Sequence, residues 1–300
     1  VDEVVRLALI VNPQAGKGRG ARVGVEAAST LRAAGADVSV YAGSTAEQTM
    51  TLAERAVRAD PDGVVVVGGD GTLAGIIDVL AENGHPITLV PAGTGNDLAR
   101  ALGIPTGDPQ TAALVALHGS ARTIDLGTIR SQGSARTFLT VAALGFDAKV
   151  SERTNALRRP SGRLRYYLAL VIELARMRPT LFRVSVDGDA ERSQPGTLLA
   201  VGNTRSYGGG MPICAGAQPD DGLLDIVHVA PLRRRRLLRL FPLLLRGSHL
   251  EAPEVRHRRA RSVRVSAPDL VVYADGERVG VSECVIGVRP AAVTLMVPKE

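Results

Sequence analysis

Gly68-Gly69-Asp70-Gly71-Thr72 follows the apolar run Gly63-Val64-Val65-Val66-Val67 without a break. A buried strand that ends in a glycine turn and enters a helix can hold a phosphate. Glycines let the backbone approach the anion, and the helix amides point at it. An acidic residue inside such a turn makes sense if a divalent cation bridges carboxylate and phosphate, or if the carboxylate orients a lysine or a water. Two more polar loops carry related residue types. Asn12-Pro13-Gln14-Ala15-Gly16-Lys17-Gly18 sets a lysine among glycines, where it could neutralise a phosphate or hold a carboxylate. It lacks the spacing of a Walker loop and the Ser/Thr after the lysine. Pro91-Ala92-Gly93-Thr94-Gly95-Asn96-Asp97-Leu98-Ala99-Arg100 offers Thr94 and Asn96 as donors or caps. Its Asp97 falls in a first helical turn, where a carboxylate is favourable on capping grounds alone. These loops together indicate nucleotide or phosphoryl chemistry.

Such loops need a rigid edge to stand on. The first 120 residues alternate strand and helix signals: strands at Leu7–Val11, Asp37–Tyr41, Val64–Val67 and Ile87–Val90, helices at Ala21–Ala34, Thr45–Arg58 and Leu73–Ala81. Continuous apolar strands alternating with helices predict a parallel sheet covered on both faces. Ligands of such sheets sit beyond the carboxyl ends of the strands, where all three loops fall. From about residue 122 the pattern changes. Strand-like stretches recur at 123–130, 137–147, 181–187, 197–203, 224–230, 262–266, 270–274 and 284–289, with turns such as Asp187-Gly188. This predicts an antiparallel sandwich or barrel, with helical inserts near 148–177 and 232–245. The expected division is residues 1–122, an α/β nucleotide-binding domain with a parallel sheet, and 123–300, an all-β domain with helical inserts. The C-terminal end of the second is open to returning to the first.

The net charge of +6 conceals an asymmetry. Residues 231–264 carry +9 and residues 151–178 carry +5, so the rest of the chain is acidic. Concentrated cations predict an anionic partner: membrane, nucleic acid or phosphates. Aromatics make up only 3% of the chain, and the basic runs lack stacking residues, which argues against nucleic acid. Cys214 and Cys284 lie far apart and outside metal-ligand spacing, as in a reducing compartment. The acidic opening Val1-Asp2-Glu3 does not read as a signal peptide, and no apolar run is long enough to span a bilayer. The expectation is a cytoplasmic protein, peripheral at the inner face of the membrane.

The chain resembles the bacterial diacylglycerol kinase and lipid kinase family, whose catalytic domain is related to that of sphingosine and ceramide kinases. The resemblance runs in order through Asn12-Pro13…Gly16-Lys17, Gly68–Thr72, Pro91–Arg100, Ile124-Asp125-Leu126-Gly127, Gly202-Asn203…Gly208-Gly209-Gly210, Pro219-Asp220-Asp221-Gly222-Leu223-Leu224-Asp225 and Asp275-Gly276-Glu277. It implies a nucleotide-binding α/β domain followed by a β-sandwich, with ATP and Mg²⁺ as cofactors. Asn12, Pro13, Gln14, Ala15 and Gly16 would line the phosphates. Thr45, Thr94, Asn96 and the turn Gly68, Gly69, Asp70, Gly71, Thr72 would contact the nucleotide. Lys17, Asp70, Asp97, Arg100 and Asp125 would form a polar network orienting ATP and Mg²⁺. A structural Mg²⁺ would use the Asp221 carboxylate with the backbone carbonyls of Gln218 and Leu223. The general base is implied to be Asp275 or Glu277, with a lean to Glu277, since an alcohol needs a proton acceptor as the phosphoryl group moves. One departure stands out: Ala74 and Gly75 occupy the place of the Asn-Glu pair usual after the Gly-Gly-Asp-Gly-Thr turn.

A lipid kinase must reach its substrate. In 232–246 the residues Leu237, Leu238, Leu240, Phe241, Leu244 and Leu245 share one side of a helix and Arg235, Arg239 and Arg246 lie opposite. That pattern suits an anionic membrane surface, or alternatively a helix whose apolar face packs on its own sheet. Pro242 should kink or shorten it. Residues 157–178, with Tyr166-Tyr167, offer a second candidate. The leading reading is an ATP-dependent lipid kinase, with diacylglycerol as the preferred acceptor and monoacylglycerol or a sphingoid base as alternatives. An NAD-kinase-like enzyme on a soluble substrate and a non-catalytic binder are the competitors. An exposed sandwich edge would support a homodimer.

Overall fold

The structure is a computed structural model and describes residues 4–157, 159, 168–169, 172–173 and 178–299. Tyr166 and Tyr167 of the second membrane candidate lie outside the described residues. The chain divides into two compact units, Val1–Asp125 with Ala291–Glu300, and Leu126–Pro290. Strands β5 (Ser120–Ser131) and β14 (Glu277–Val297) each contribute residues to both.

In the first unit, β1 (Arg6–Val11) pairs in parallel with β2 (Asp37–Ala42) on one side and β3 (Gly63–Gly68) on the other. Strand β3 pairs in parallel with β4 (Ile87–Pro91), and Leu295 at the end of β14 meets Ile87. The order β2-β1-β3-β4 reverses direction between β1 and β3, the kind of crevice where open α/β sheets bind ligands. Val64 to Val67 are at most 1% exposed, as expected for a strand covered on both faces. The helices are α1 (Ala15–Ala33), α2 (Ala46–Arg58), α3 (Asp70–Asn83), the short α4 (Asp97–Ala101) and α5 (Pro109–His118). Helix α1 begins earlier than its periodicity predicts, because a turn at Ala15 joins it across a kink at Gly16, Lys17 and Gly18, all at positive φ.

The second unit is an antiparallel β-sandwich-like domain. Its further strands are β6 (Ser134–Phe138), β7 (Val141–Gly145), β8 (Thr180–Val186), β9 (Arg192–Gly196), β10 (Leu198–Gly202), β11 (Leu224–Val229), β12 (Val255–Ala260) and β13 (Ser262–Ala274). Strands β12-β11-β10-β7-β13-β14 are neighbours in that order, and β8 pairs with β13 and β9. The runs in β7 and β10 carry no polar side chain and β11 interrupts its apolar run with Asp225 and His228, and all three strands are buried on both faces. Ala142, Leu144, Leu199, Val201, Leu224 and Ile226 enter the core that also holds Phe138, Phe182 and Val265. Val141, Leu198, Ala200, Val227 and Val229 face a second core, with Phe146 and Val150 of α6 (Phe146–Ala156) and Leu240 of α7 (Arg234–Leu245).

Three expectations change here. The single strand read over 137–147 is broken at Leu139-Thr140, whose amides turn to a carboxylate rather than a neighbouring strand. The two strands 262–266 and 270–274 are one, β13, with register shifts after Ser266 and Val272. Strand β12, Val-Arg-His-Arg-Arg-Ala, lies hidden within the basic run, and β9, which ends Pro195-Gly196, pairs among the described residues only with β8. Such an edge tolerates proline.

Helix α7 continues through Pro242. Its expected apolar side is split. Leu240 is buried and Leu237 and Leu244 pack on the second core, whereas Leu238 and Leu245 remain exposed. Among the described residues no helix is long and apolar enough to cross a membrane.

Candidate functional site

In the first unit the three predicted loops converge at the carboxyl ends of β1, β3 and β4. The Asn12 amide bonds the Val67 carbonyl, and Asn12 Nδ2 donates to Thr72 Oγ1 at 2.9 Å, spanning the reversal point between β1 and β3. Asn12 Oδ1 accepts from the Gln14 amide at 3.0 Å, an Asx turn that shapes the first loop. The Ala92 amide donates to the Gly68 carbonyl, bringing the second and third loops together. There Gly69 and Gly93 touch so closely that a Cβ on either would lie 2.9 or 2.6 Å from the other's Cα. Only glycine fits at both.

Asp70 opens α3, and its carboxylate accepts from the Asp97 amide at 2.9 Å and the Leu98 amide at 3.1 Å. One side chain of the second loop thus caps the first turn of α4. Burial pushes the Asp70 carboxyl above its ordinary value, against the opposing pull of those amides. Asn96, at φ 54°, gives Nδ2 to the Gly93 carbonyl, and its Oδ1 is buried with no hydrogen-bond partner among the described residues. A buried acceptor without a donor, beside two glycines that leave the loop backbone bare, suits the amine and hydroxyl donors of a nucleotide.

The other predicted residues take distinct positions. Thr45 caps α2 through the Gln48 amide, and Arg100 reaches the Gly95 carbonyl. Asp125 is buried and accepts from the Ala291 amide at 2.7 Å. Lys17 and Thr94 are exposed on the first and third loops. Of the network members, the described bonds join Asp70 to Asp97, through its amide. Arg19 is absent from the sequence-based set. Its guanidinium links the Gly16 carbonyl of the first loop to the Ala92 and Gly93 carbonyls of the third, at 3.3, 3.4 and 2.9 Å. An arginine just past a Gly-Lys-Gly turn reads as solvated surface, and nothing local signals its long-range partners.

In the second unit Asp275 and Gly276 form the turn between β13 and β14, at φ 50° and 87°, with Ala274 opposite Glu277. Two successive positive φ values define the tight hairpin that aspartate-glycine favours. Both carboxylate oxygens of Asp275 are used. One takes the Leu139 amide at 2.7 Å, and the other takes the Thr140 amide at 3.1 Å and its hydroxyl at 2.6 Å. Asn203 steadies the same corner, its amide on the Thr140 carbonyl and its Nδ2 on the Leu139 carbonyl. This assigns a structural task to the Gly202-Asn203 motif and to Thr140, for which the sequence alone supplies none. Glu277 is exposed beside the anchored turn. The geometry separates the two carboxylates, one held by three donors and one presented outward.

At the proposed metal turn, Asp221 Oδ1 accepts from the Leu223 amide at 2.9 Å and Oδ2 contacts the Arg259 guanidinium. Among the described residues no group of three or more His, Cys, Asp or Glu could hold a metal. A cation here would rest on one carboxylate, main-chain oxygens and water, a donor set that suits Mg²⁺, in competition with Arg259. Nearby, Asp225 is 1% exposed and bonds His257 Nε2 at 2.5 Å, and burial pushes its carboxyl up.

Known proteins show the same two-part organisation. Residues 6–129 match the diacylglycerol kinase catalytic domain, and residues 140–297 match the YegS C-terminal NAD kinase beta sandwich-like domain. A curated diacylglycerol kinase of Mycobacterium tuberculosis is 42% identical over 99% of this chain and 96% of its own length. One from Staphylococcus saprophyticus is 31% identical over 91% and 88%. The fold matches two crystal structures from Bacillus anthracis str. Sterne, with TM-scores of 0.78 and 0.72 at 24% and 21% identity, each covering 98% of this chain and 97% of that one. With both domain models matched in order and full-length relatives at this identity, the chain belongs to the diacylglycerol kinase family of lipid kinases.

Proposed function

We propose that this enzyme transfers the γ-phosphoryl group of ATP to a lipid hydroxyl, with diacylglycerol as acceptor and phosphatidic acid as product. The observation that carries the reading is the edge of the first unit, where the glycine loop that opens α3 and the loop after β4 approach too closely for any Cβ. Such an edge binds a triphosphate through main-chain N–H groups. Lys17 and Arg100 extend from the flanking loops as cations for its oxygens. Magnesium bound with the triphosphate would add positive charge at the transferring group. A structural magnesium would be held by Asp221 with the Gln218 and Leu223 carbonyls.

Glu277 is the proton acceptor in this reading. The lipid hydroxyl oxygen forms the new bond to γ-phosphorus, its proton passes to Glu277, and the bond to the β-phosphate oxygen breaks with its electron pair leaving on ADP. Asp275, whose two oxygens already accept three hydrogen bonds, instead fixes the turn that presents Glu277. Alignment of this kind is a large part of phosphoryl-transfer catalysis.

The test is transfer of labelled γ-phosphate from ATP, with Mg²⁺, to a panel of lipids in mixed micelles. Label in phosphatidic acid is the expected result. Label in another lipid would change the acceptor and keep the mechanism. Label in a soluble product, or none, would overturn the reading.

A further inference from the structure

Helix α7 carries leucines on two faces, and only one serves the fold. Leu237, Leu240 and Leu244 pack on the second core. Leu238 and Leu245 are 59% and 56% exposed. At 100° per residue they stand with Pro242 on a face that runs into Arg235, Arg239 and Arg246. Residues 231–246 contain six arginines and no acid. Arg236, on the inward flank, is held by Glu254 at 2.7 and 3.0 Å. Among the described residues no ion pair engages Arg235, Arg239 or Arg246.

We propose that this outward face of α7 docks on a membrane surface that contains anionic lipid. Leucines flanked by unneutralised arginines fit the boundary between headgroups and acyl chains. The apolar side chains enter it, and the guanidiniums pair with lipid phosphates. A nonpolar partner surface would leave the arginines buried without counter-charge, so charge selects the occupant. The proposal rests on the lipid kinase reading, since it supplies the contact such an enzyme needs with its substrate's phase.

Co-sedimentation with vesicles in the absence of ATP tests the face alone. The wild type should bind phosphatidylcholine–phosphatidylglycerol vesicles and lose them as salt rises, and should bind pure phosphatidylcholine far less. Combined Arg235→Glu, Arg239→Glu and Arg246→Glu should weaken binding at least about a hundredfold, since each cation contributes about fivefold. Combined Leu238→Ser and Leu245→Ser should weaken it about tenfold or more. None of these five side chains is buried in the fold, so melting should be unchanged; if a combined variant does not fold, Arg239→Gln alone should still cost about fivefold. Equal binding to neutral and anionic vesicles, binding that ignores these substitutions, or a lipid-free dimer that they dissociate would overturn the proposal. Phosphoryl transfer by the wild type to diacylglycerol in neutral detergent micelles tests the kinase reading separately. Its absence alongside intact vesicle binding would refute that reading and leave the docking face standing.

Discussion

Asp70 takes the amides of Asp97 and Leu98 at 2.9 and 3.1 Å, and Asp275 takes those of Leu139 and Thr140 at 2.7 and 3.1 Å. In each unit a turn-borne carboxylate reaches across to a loop distant in sequence and caps two consecutive N–H groups. What stands beside each clamp differs. Next to Asp70 are glycines, the start of α3 and the buried Asp97, so the clamp joins the second loop to the third. Two residues beyond Asp275 is the exposed carboxylate of Glu277, so the clamp fixes the turn beside it. In the proposed function the same device builds an anion cradle in one unit and presents a proton acceptor in the other.

The largest effect should come from removing the group that only the second clamp presents. Glu277→Gln keeps size and exposure and deletes the proposed base, so kcat should fall about a thousandfold with little change in melting temperature. Asp275→Asn acts through the turn. It leaves one of three donors without an acceptor, costs about 1–3 kcal/mol of stability, and should lower kcat by a smaller factor. Combined with Glu277→Gln it should add almost nothing to the rate loss, because both disable one function. A larger rate loss for Asp275→Asn than for Glu277→Gln would reverse the two roles.

The first clamp should fail differently. Asp70→Asn removes one acceptor for the α4 amides and loosens the third loop, so stability should drop by about 1–3 kcal/mol. Because the cradle binds rather than accepts the proton, KM for ATP should rise about tenfold or more while the affinity of the protein for lipid vesicles is unchanged. A loss confined to kcat, with KM for ATP unaltered, would place Asp70 at the reacting group rather than in the cradle.

How much of this was legible depended on whether the signal was local. The parallel strands were readable because Val64–Val67 is a continuous apolar run between turns, and the Gly-Gly-Asp-Gly-Thr turn because glycine and a helix start adjoin in sequence. The break at Leu139-Thr140 was not. Those residues have ordinary strand types, and what bends them is a carboxylate some 135 positions away. Arg19 and Arg259 look like surface charge for the same reason: an arginine's partner is set by tertiary folding, and its own neighbourhood says nothing of it. For α7 the period identified an amphipathic helix correctly, but not which leucines the core would take. Two leucines one position apart, Leu237 and Leu238, end on opposite sides of that decision.

The smallest predicted effect separates the units by pH. His228 and His249 in the second unit are buried, and burial, with repulsion from Arg256 and His257 respectively, holds both below the ordinary 6.5. The unfolded chain therefore binds protons at these positions before the folded one does. Their stabilising contribution is complete above about pH 6.5 and is lost as pH falls from there through the lowered values. Asp70 in the first unit is opposite in sign. Its raised carboxyl keeps an extra proton in the folded state above the ordinary 3.8, so acidification through that window adds stability. Asp225 does the same within the second unit and offsets part of the histidine loss there. Calorimetry between about pH 7.5 and 5.5 should show stability falling as the pH passes below about 6.5, where the unfolded chain takes up protons at the two histidines. His249→Asn should flatten that slope, since asparagine has no proton to gain and can still donate to the Ile213 carbonyl that His249 Nε2 meets at 2.9 Å. An unchanged slope in that variant would assign the acid sensitivity to groups other than this buried imidazole.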